Sequence, residues 1–196
     1  MTTLERTAEA LRQRGFTVSV FETAEAAADY LDGAIDNRTV GFGGSMTLEA
    51  LNLWERLRTH NQVYSHLHGF PLGPEAAEAQ VYVTSVNGLA ETGEVLNIDG
   101  IGNRVASTLY GHEKVYLVAG RNKIAPTYEE ALLRARNVAA PKNARRKQMR
   151  TPCAAQGDRC YDCKSPDRIC RALTVLWAPM LGMETEVVLI DRDLGY

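Results

Sequence analysis

Apolar residues recur along this chain with two alternating periods. Leu4, Ala8 and Leu11 lie at helical spacing, and Gly15 ends that helix. Residues 16–21 (FTVSVF) follow as a short strand, and Thr23 is placed to cap a helix through Leu31. Residues 39–42 predict a buried strand running into Gly43, Gly44 and Ser45, after which Leu48, Leu51, Trp54 and Leu57 mark one helix. Residues 63–65 add a strand, and 66–74 form a loop rich in Gly and Pro. Residues 80–86 predict a strand, 91–94 a turn, and 95–99 the next strand. Residues 114–119 (KVYLVA) are the clearest buried strand. Thr127 and Glu130 make a capping-box pattern that opens a helix through about Ala139. Residues 173–181 are apolar and read as helix until Pro179; residues 185–190 (TEVVLI) read as a last strand.

Helices and strands alternate, and two strands are continuous apolar runs. That predicts an α/β fold with an open, largely parallel sheet covered on both faces. With 196 residues, no internal repeat and no dividing linker, the chain reads as one α/β domain over 1–196. A cysteine-rich segment at 151–171 is set into it near the C-terminus. Net charge is −2, which gives no reason to expect nucleic acid as a partner. No apolar run approaches the roughly 20 residues that cross a bilayer. The opening MTTLERTAEALRQRG carries charges at helical spacing and lacks an apolar signal core, so a cytoplasmic location is expected.

All four cysteines lie between 153 and 170. Cys153, Cys160, Cys163 and Cys170 have the spacing Cys-x6-Cys-x2-Cys-x6-Cys, with Gly157 and Pro166 where the arms must bend. Four soft sulfur ligands select an iron–sulfur cluster or zinc. Structural zinc usually pairs two C-x2–4-C knuckles and only one is present, so a [4Fe-4S] cluster is favoured, with zinc as the alternative. Free or redox thiols are the bland reading. Arg159, Lys164, Arg168 and Arg171 would offset a cluster's negative charge.

The run VGFGGS places a glycine turn between a strand and a helix. There, backbone N–H groups of Gly43 and Gly44 with the Ser45 hydroxyl can hold an anion, or the glycines answer only to sterics. A polar stretch follows, TSVNGLAETGEVLNIDGIGNRVA. In it Glu91 and Asp99 are candidate general base and partner, and Asn87, Asn103 and Arg104 candidate ligand-binding residues. Turn chemistry alone accounts equally for such residues. His66 and His68 lack a third ligand and read as surface or pocket residues. The basic run of Lys142, Arg145, Arg146, Lys147 and Arg150 reads as a solvated helix end, or as a docking patch for an acidic partner or anionic ligand.

Taken in order, VGFGGSMTL, TSVNGLAETGEVLNIDGIGNRVA, KVYLVAGRNKI, AAPKNARR and TPC…CxxC…SPDRIC resemble the LUD domain of the lactate-utilisation B and C subunits, from about residue 38 to 190. The chain is similar to a stand-alone form with a C-terminal four-cysteine motif. The resemblance implies a fold like the ribose-phosphate isomerase, glucosamine-phosphate deaminase and CoA-transferase group. There the glycine loop meets the ligand's anionic end and the 91–99 segment lies opposite, so the two make one pocket. It implies an electron-transfer or accessory part in oxidising L-lactate to pyruvate, with iron–sulfur partner subunits, and it leaves a homo-oligomer open. A stand-alone enzyme or sensor for a small anionic metabolite, carboxylate or phosphate, with a structural metal, is the competing reading.

Overall fold

Six strands form one parallel sheet in the computed structural model, which describes residues 1–69 and 73–196. In chain order they are β1 (Thr17–Phe21), β2 (Thr39–Phe42), β3 (Gln62–Tyr64), β4 (Val81–Ser85), β7 (Lys114–Gly120) and β10 (Glu184–Ile190). Their spatial order is β1-β10-β7-β4-β2-β3. The apolar runs 114–119 and 185–190 are neighbours in the middle of the sheet, in register from Lys114↔Glu184 to Gly120↔Ile190. Their side chains alternate between two cores. Tyr116, Val118, Val188 and Ile190 pack with Leu31, Leu48 and Leu57 on one face. Val115, Leu117, Val187 and Leu189 pack with Leu4, Ala8 and Leu11 on the other. A central strand buried on both faces needs no polar alternation, which is why these runs read so clearly.

The first helix, α1 (Thr3–Gln13), opens with a complete Thr2/Glu5 capping box. Helix α2 (Ala24–Ala34) is capped by the Thr23 hydroxyl. The predicted helix over 48–57 is two: α3 (Met46–Ala50) and α4 (Leu53–Leu57), broken where Asn52 turns left-handed at φ 49°. Periodicity survives this break because both pieces bury leucines on the same core. Of the predicted 66–74 loop, residues 66–68 form a single 3-10 turn and α5 (Pro74–Ala77) begins at Pro74; residues 70–72 lie outside the described residues.

A second, four-stranded sheet was not expected. It consists of β5 (Gly88–Ala90), β6 (Val95–Asp99), β8 (Ile124–Ala125) and β9 (Ala172–Leu176), in the order β8-β5-β6-β9. Strand β9 corrects the predicted helix at 173–181. It pairs antiparallel with β6, Asp99 opposite Ala172 through Val95 opposite Leu176. A short apolar run does not separate strand from helix by periodicity, and here a distant partner decides.

The helix opened by Thr127 runs further than predicted. It comprises α7 (Tyr128–Arg134), a π-turn at Ala135–Ala139 and α8 (Ala140–Arg146). Pro141 has no N–H for the residue 137 carbonyl and its ring crowds that oxygen, and a wider turn just before it relieves both. Helix α6 (Asn103–Leu109) follows β6, and α9 (Pro152–Gln156) opens the cysteine segment. Among the described residues no helix is long and apolar enough to cross a membrane.

Candidate functional site

From β2 the chain moves outward to β3; from β4 it moves the opposite way to β7. The C-terminal ends of β2 and β4 therefore diverge, and open α/β sheets bind ligands in such a crevice. A cavity of about 430 Å³ lies there. Gly44, Ser45 and Met46 line it after β2, and Ser85, Val86 and Asn87 after β4. Lys123 enters from beyond β7.

The sequence candidates divide. Gly44, Ser45, Asn87, Asp99, Asn103 and Arg104 all line the cavity, as does His66. Gly43 sits behind the wall: its N–H donates to the Val83 carbonyl at 2.8 Å. A Cβ there would lie 2.5 Å from Thr84 Oγ1 and 2.8 Å from Thr84 Cβ. Gly43→Ala is therefore expected to cost about 1–3 kcal/mol of stability in urea unfolding. At Gly44 the Cβ would meet only movable side-chain atoms of Leu67 and His66, at 3.1–3.3 Å, so Gly44→Ala should cost clearly less. The Ser45 hydroxyl is occupied as a cap, accepting from Thr47 N–H at 3.1 Å. His68 points its chemistry elsewhere, stacked on Trp54 at 4.1 Å and bonded to Glu49.

Glu91 does not line the cavity. It pairs with Arg6 at 3.0 Å, while Thr92 O and Glu94 receive Arg14, so this turn docks α1. Asp99 is in the cavity wall but its acceptor positions are filled. Oδ1 takes the N–H groups of Gly100, Ile101 and Gly102 at 2.7, 3.1 and 3.0 Å, and Oδ2 takes Arg104 Nε at 3.1 Å. Burial alone would raise this carboxyl. The Gly102 N–H and the Arg104 guanidinium outweigh burial and hold it below the usual carboxylate range. Such a carboxylate shapes a turn and is a poor base. Arg104 is similarly committed, also bonding Asn87 Oδ1 at 2.9 Å and Ile98 O at 2.6 Å.

The cavity's charge comes from side chains more than from the glycine turn. Six cationic residues line it: Arg104, Lys123, Arg146, Lys147, Arg168 and Arg171. Its two acidic side chains, Asp99 and Asp167, are each bound by an arginine. Arg146 and Lys147 of the basic run are exposed at the helix end and also line the cavity. Beside Lys147, burial pushes the His66 imidazole below its ordinary value.

Sequence reasoning missed Lys123, which is only 3 % exposed. Its Nζ donates to Ser85 Oγ at 2.8 Å and Val86 O at 3.0 Å. Arg134, also unremarked, donates to Asn122 O at 2.7 Å and Asn87 O at 2.6 Å, tying the ends of β4 and β7 together. The available signal was position: a lysine a few residues past the most apolar strand, where strand C-termini converge.

The four cysteines converge on one small void between α8, α9 and the segment that returns to β9. Ala140, Pro141, Ala144 and Ile169 give it an apolar lining. Sulfur contacts follow: Asp162 N–H and Cys160 Sγ at 3.3 Å, Arg168 Nη2 and Cys170 Sγ at 3.4 Å, Thr151 Oγ1 and Cys153 Sγ at 3.3 Å. The π-turn grips the segment too, with Asn137 Oδ1 accepting Cys160 N–H at 3.1 Å and Arg136 reaching Asp162 at 3.2 Å. Among the described residues no three His, Cys, Asp or Glu side chains are grouped as ligands of one ion. All four thiols nevertheless line that one void, and four soft sulfur donors are the set that an iron–sulfur cluster or zinc takes.

The two sites share a wall. Ala140, Arg168 and Ile169 line both the cysteine void and the cationic cavity. Arg168 donates to Cys163 O at 2.8 Å and Cys170 O at 3.1 Å, and Arg171 N–H donates to Asp99 O at 2.8 Å. The cysteine segment is thus part of the cavity.

Fold and site together define an α/β protein with a cationic cavity at its topological switch point, walled on one side by a cysteine segment. The LUD domain family model matches residues 4–190, and the chain belongs to that family. A crystal structure of a DUF162 family protein from Deinococcus radiodurans is similar with a TM-score of 0.57, covering 96 % of each chain. At 14 % identity that likeness is one of fold. No curated protein matches the chain.

Proposed function

We propose that this protein binds a small carboxylate in the switch-point cavity and holds a [4Fe-4S] cluster on Cys153, Cys160, Cys163 and Cys170. In this reading it is an electron-transfer or accessory component of 2-hydroxy-acid oxidation, L-lactate to pyruvate, alongside iron–sulfur partner subunits. The shared wall carries the reading: a group on the cysteines would stand one side-chain layer from a ligand in the cavity. When bound, such a cluster supplies one-electron chemistry, tuned by hydrogen bonds to its sulfurs. The chain's own residues do the rest. Lys147, Arg146 and Arg171 attract the carboxylate; Lys123 and Asn87 meet its polar groups at the cavity floor; Ile169 and Ala140 keep water from the cysteines.

A second reading rests on the grip of Asn137, Arg136 and Arg168 on the cysteine segment, which suits a purely structural metal in a stand-alone enzyme or sensor. Iron and acid-labile sulfide analysis of anaerobically purified protein separates the two. Brown protein containing sulfide and bleached by dithionite is expected; colourless protein with stoichiometric zinc would sink the cluster. Calorimetry with L-lactate, pyruvate and inorganic phosphate tests the cavity. Phosphate binding without either carboxylate would overturn the 2-hydroxy-acid assignment.

A further inference from the structure

Neither of the two carboxylates first considered as the proton-handling pair remains available: Glu91 is paired with Arg6 outside the cavity and Asp99 is spent on its turn. The cavity nevertheless contains one group with the properties of a nucleophile. We propose that Lys123 is a reactive amine, placed to condense with the carbonyl of a small 2-oxo carboxylate held in the cavity. This rests on the reading that the cavity takes a small carboxylate.

The geometry comes first. Lys123 lines the cavity, and among the described residues no acid pairs with it. Its two protein contacts, Ser85 Oγ and Val86 O, are neutral acceptors. Ser85 Oγ in turn donates to Thr47 Oγ1 at 3.2 Å, and Thr47 Oγ1 donates to Leu194 O at 3.2 Å. Each hydroxyl proton in that chain is committed away from the lysine, so Ser85 can only accept from it. A neutral amine has two N–H groups, and these two acceptors take both. The nitrogen lone pair is the remaining direction, left to the cavity.

The electrostatics agree. The charged groups that act on it, Arg134 on α7 and Arg104 on α6, are cations. Burial, with these two guanidiniums, pushes the ammonium down to about 7, so a large share of the amine is neutral near neutral pH. Desolvation beside other cations is the established way to activate a lysine toward carbonyls. The ligand class follows from the same wall. A 2-oxo acid carries its carboxylate one bond from the carbonyl, so an amine at the floor and cations around it read both groups at once.

The step balances without a further reagent. The Lys123 nitrogen attacks the carbonyl carbon, the C–O bond breaks, and the oxygen departs as water with the two amine protons. The resulting imine is neutral at nitrogen until it takes a proton from solvent, and no oxidant is involved.

The test uses the full chain as purified. Pyruvate is added with sodium cyanoborohydride, and the product is read by intact mass and peptide mapping. One pyruvate-dependent adduct per chain at Lys123 is expected, suppressed by excess L-lactate and absent in Lys123→Arg. Absence of an adduct, or an adduct spread over Lys114, Lys142, Lys147 and Lys164 at comparable yield, overturns the inference. Mapping is done on the unaltered protein, so a poorly folding variant does not decide the outcome. Calorimetry separates the two readings: carboxylate binding without an adduct overturns the imine alone, and the absence of both overturns the cavity assignment as well.

Discussion

Raising the pH from about 7 to about 10 is expected to stabilise the ligand-free protein by about 3–4 kcal/mol, through Lys123 alone. Its folded value is about 7 against an ordinary value of 10.5. Below pH 7 the lysine is charged in both states and the fold bears the full penalty of a buried ammonium. Between about 7 and 10.5 the unfolded chain holds the proton and the folded chain does not, so stability rises with pH. Each unit of separation is 1.36 kcal/mol, which sets the size of the effect. Above pH 10 the slope reverses. Burial raises the Tyr82 phenol to about 12, so the unfolded chain ionises first there. Of the groups lining the cavity, Asp99 and His66 are both shifted downward, away from this window.

Urea midpoints across pH measure this directly. Lys123→Met should flatten the rise, at a cost of about 1–3 kcal/mol for the two acceptors left without a donor. A midpoint that does not move between pH 7 and 9.5 in the unaltered protein would contradict the buried-amine account.

The second large effect is expected at the cysteines. With the proposed metal on the cysteines, Cys163→Ser should release it and lower stability by several kcal/mol, a fraction of the ~10 kcal/mol or more that thiolate sites contribute. The same change should weaken carboxylate binding, although Cys163 does not line the cavity. The reason is Arg168, whose guanidinium holds Cys163 O, Cys170 O and Cys170 Sγ and also faces the ligand space. Arg168→Met should therefore reduce both metal retention and ligand affinity. Metal analysis and calorimetry on the same preparations give the answer. Full carboxylate affinity in metal-free Cys163→Ser protein would show that the wall stands without the thiolates.

Much of the framework was legible because it rests on local pattern. The strand–glycine–helix run at 39–45 and the paired apolar strands 114–119 and 185–190 follow from periodicity and turn chemistry. The pocket joining Gly44 and Ser45 to Asn87, Asp99, Asn103 and Arg104 followed from family motifs, which carry long-range information that spacing does not. What was not legible depends on partners far away in sequence. Glu91 looked like a base until Arg6, on the first helix, claimed it. Residues 172–176 looked helical because nothing local shows that β6 is waiting to pair with them. Lys123 was hidden by its chemistry: a lone lysine reads as surface, and only the sheet's topology shows that it is buried.

The π-turn at Ala135–Ala139 has a consequence for insertions and deletions. Upstream and within it, Arg134, Arg136 and Asn137 reach the strand ends and the cysteine segment; downstream, Asn143, Arg146 and Lys147 reach the cavity. The wide turn acts as a phase shifter between those two sets. Removing a single residue there would regularise the helix and leave both sets facing their sites, because the wide turn is where the extra residue is taken up. Removing one from the regular helix on either side would instead rotate one set against the other by about 100° around the axis.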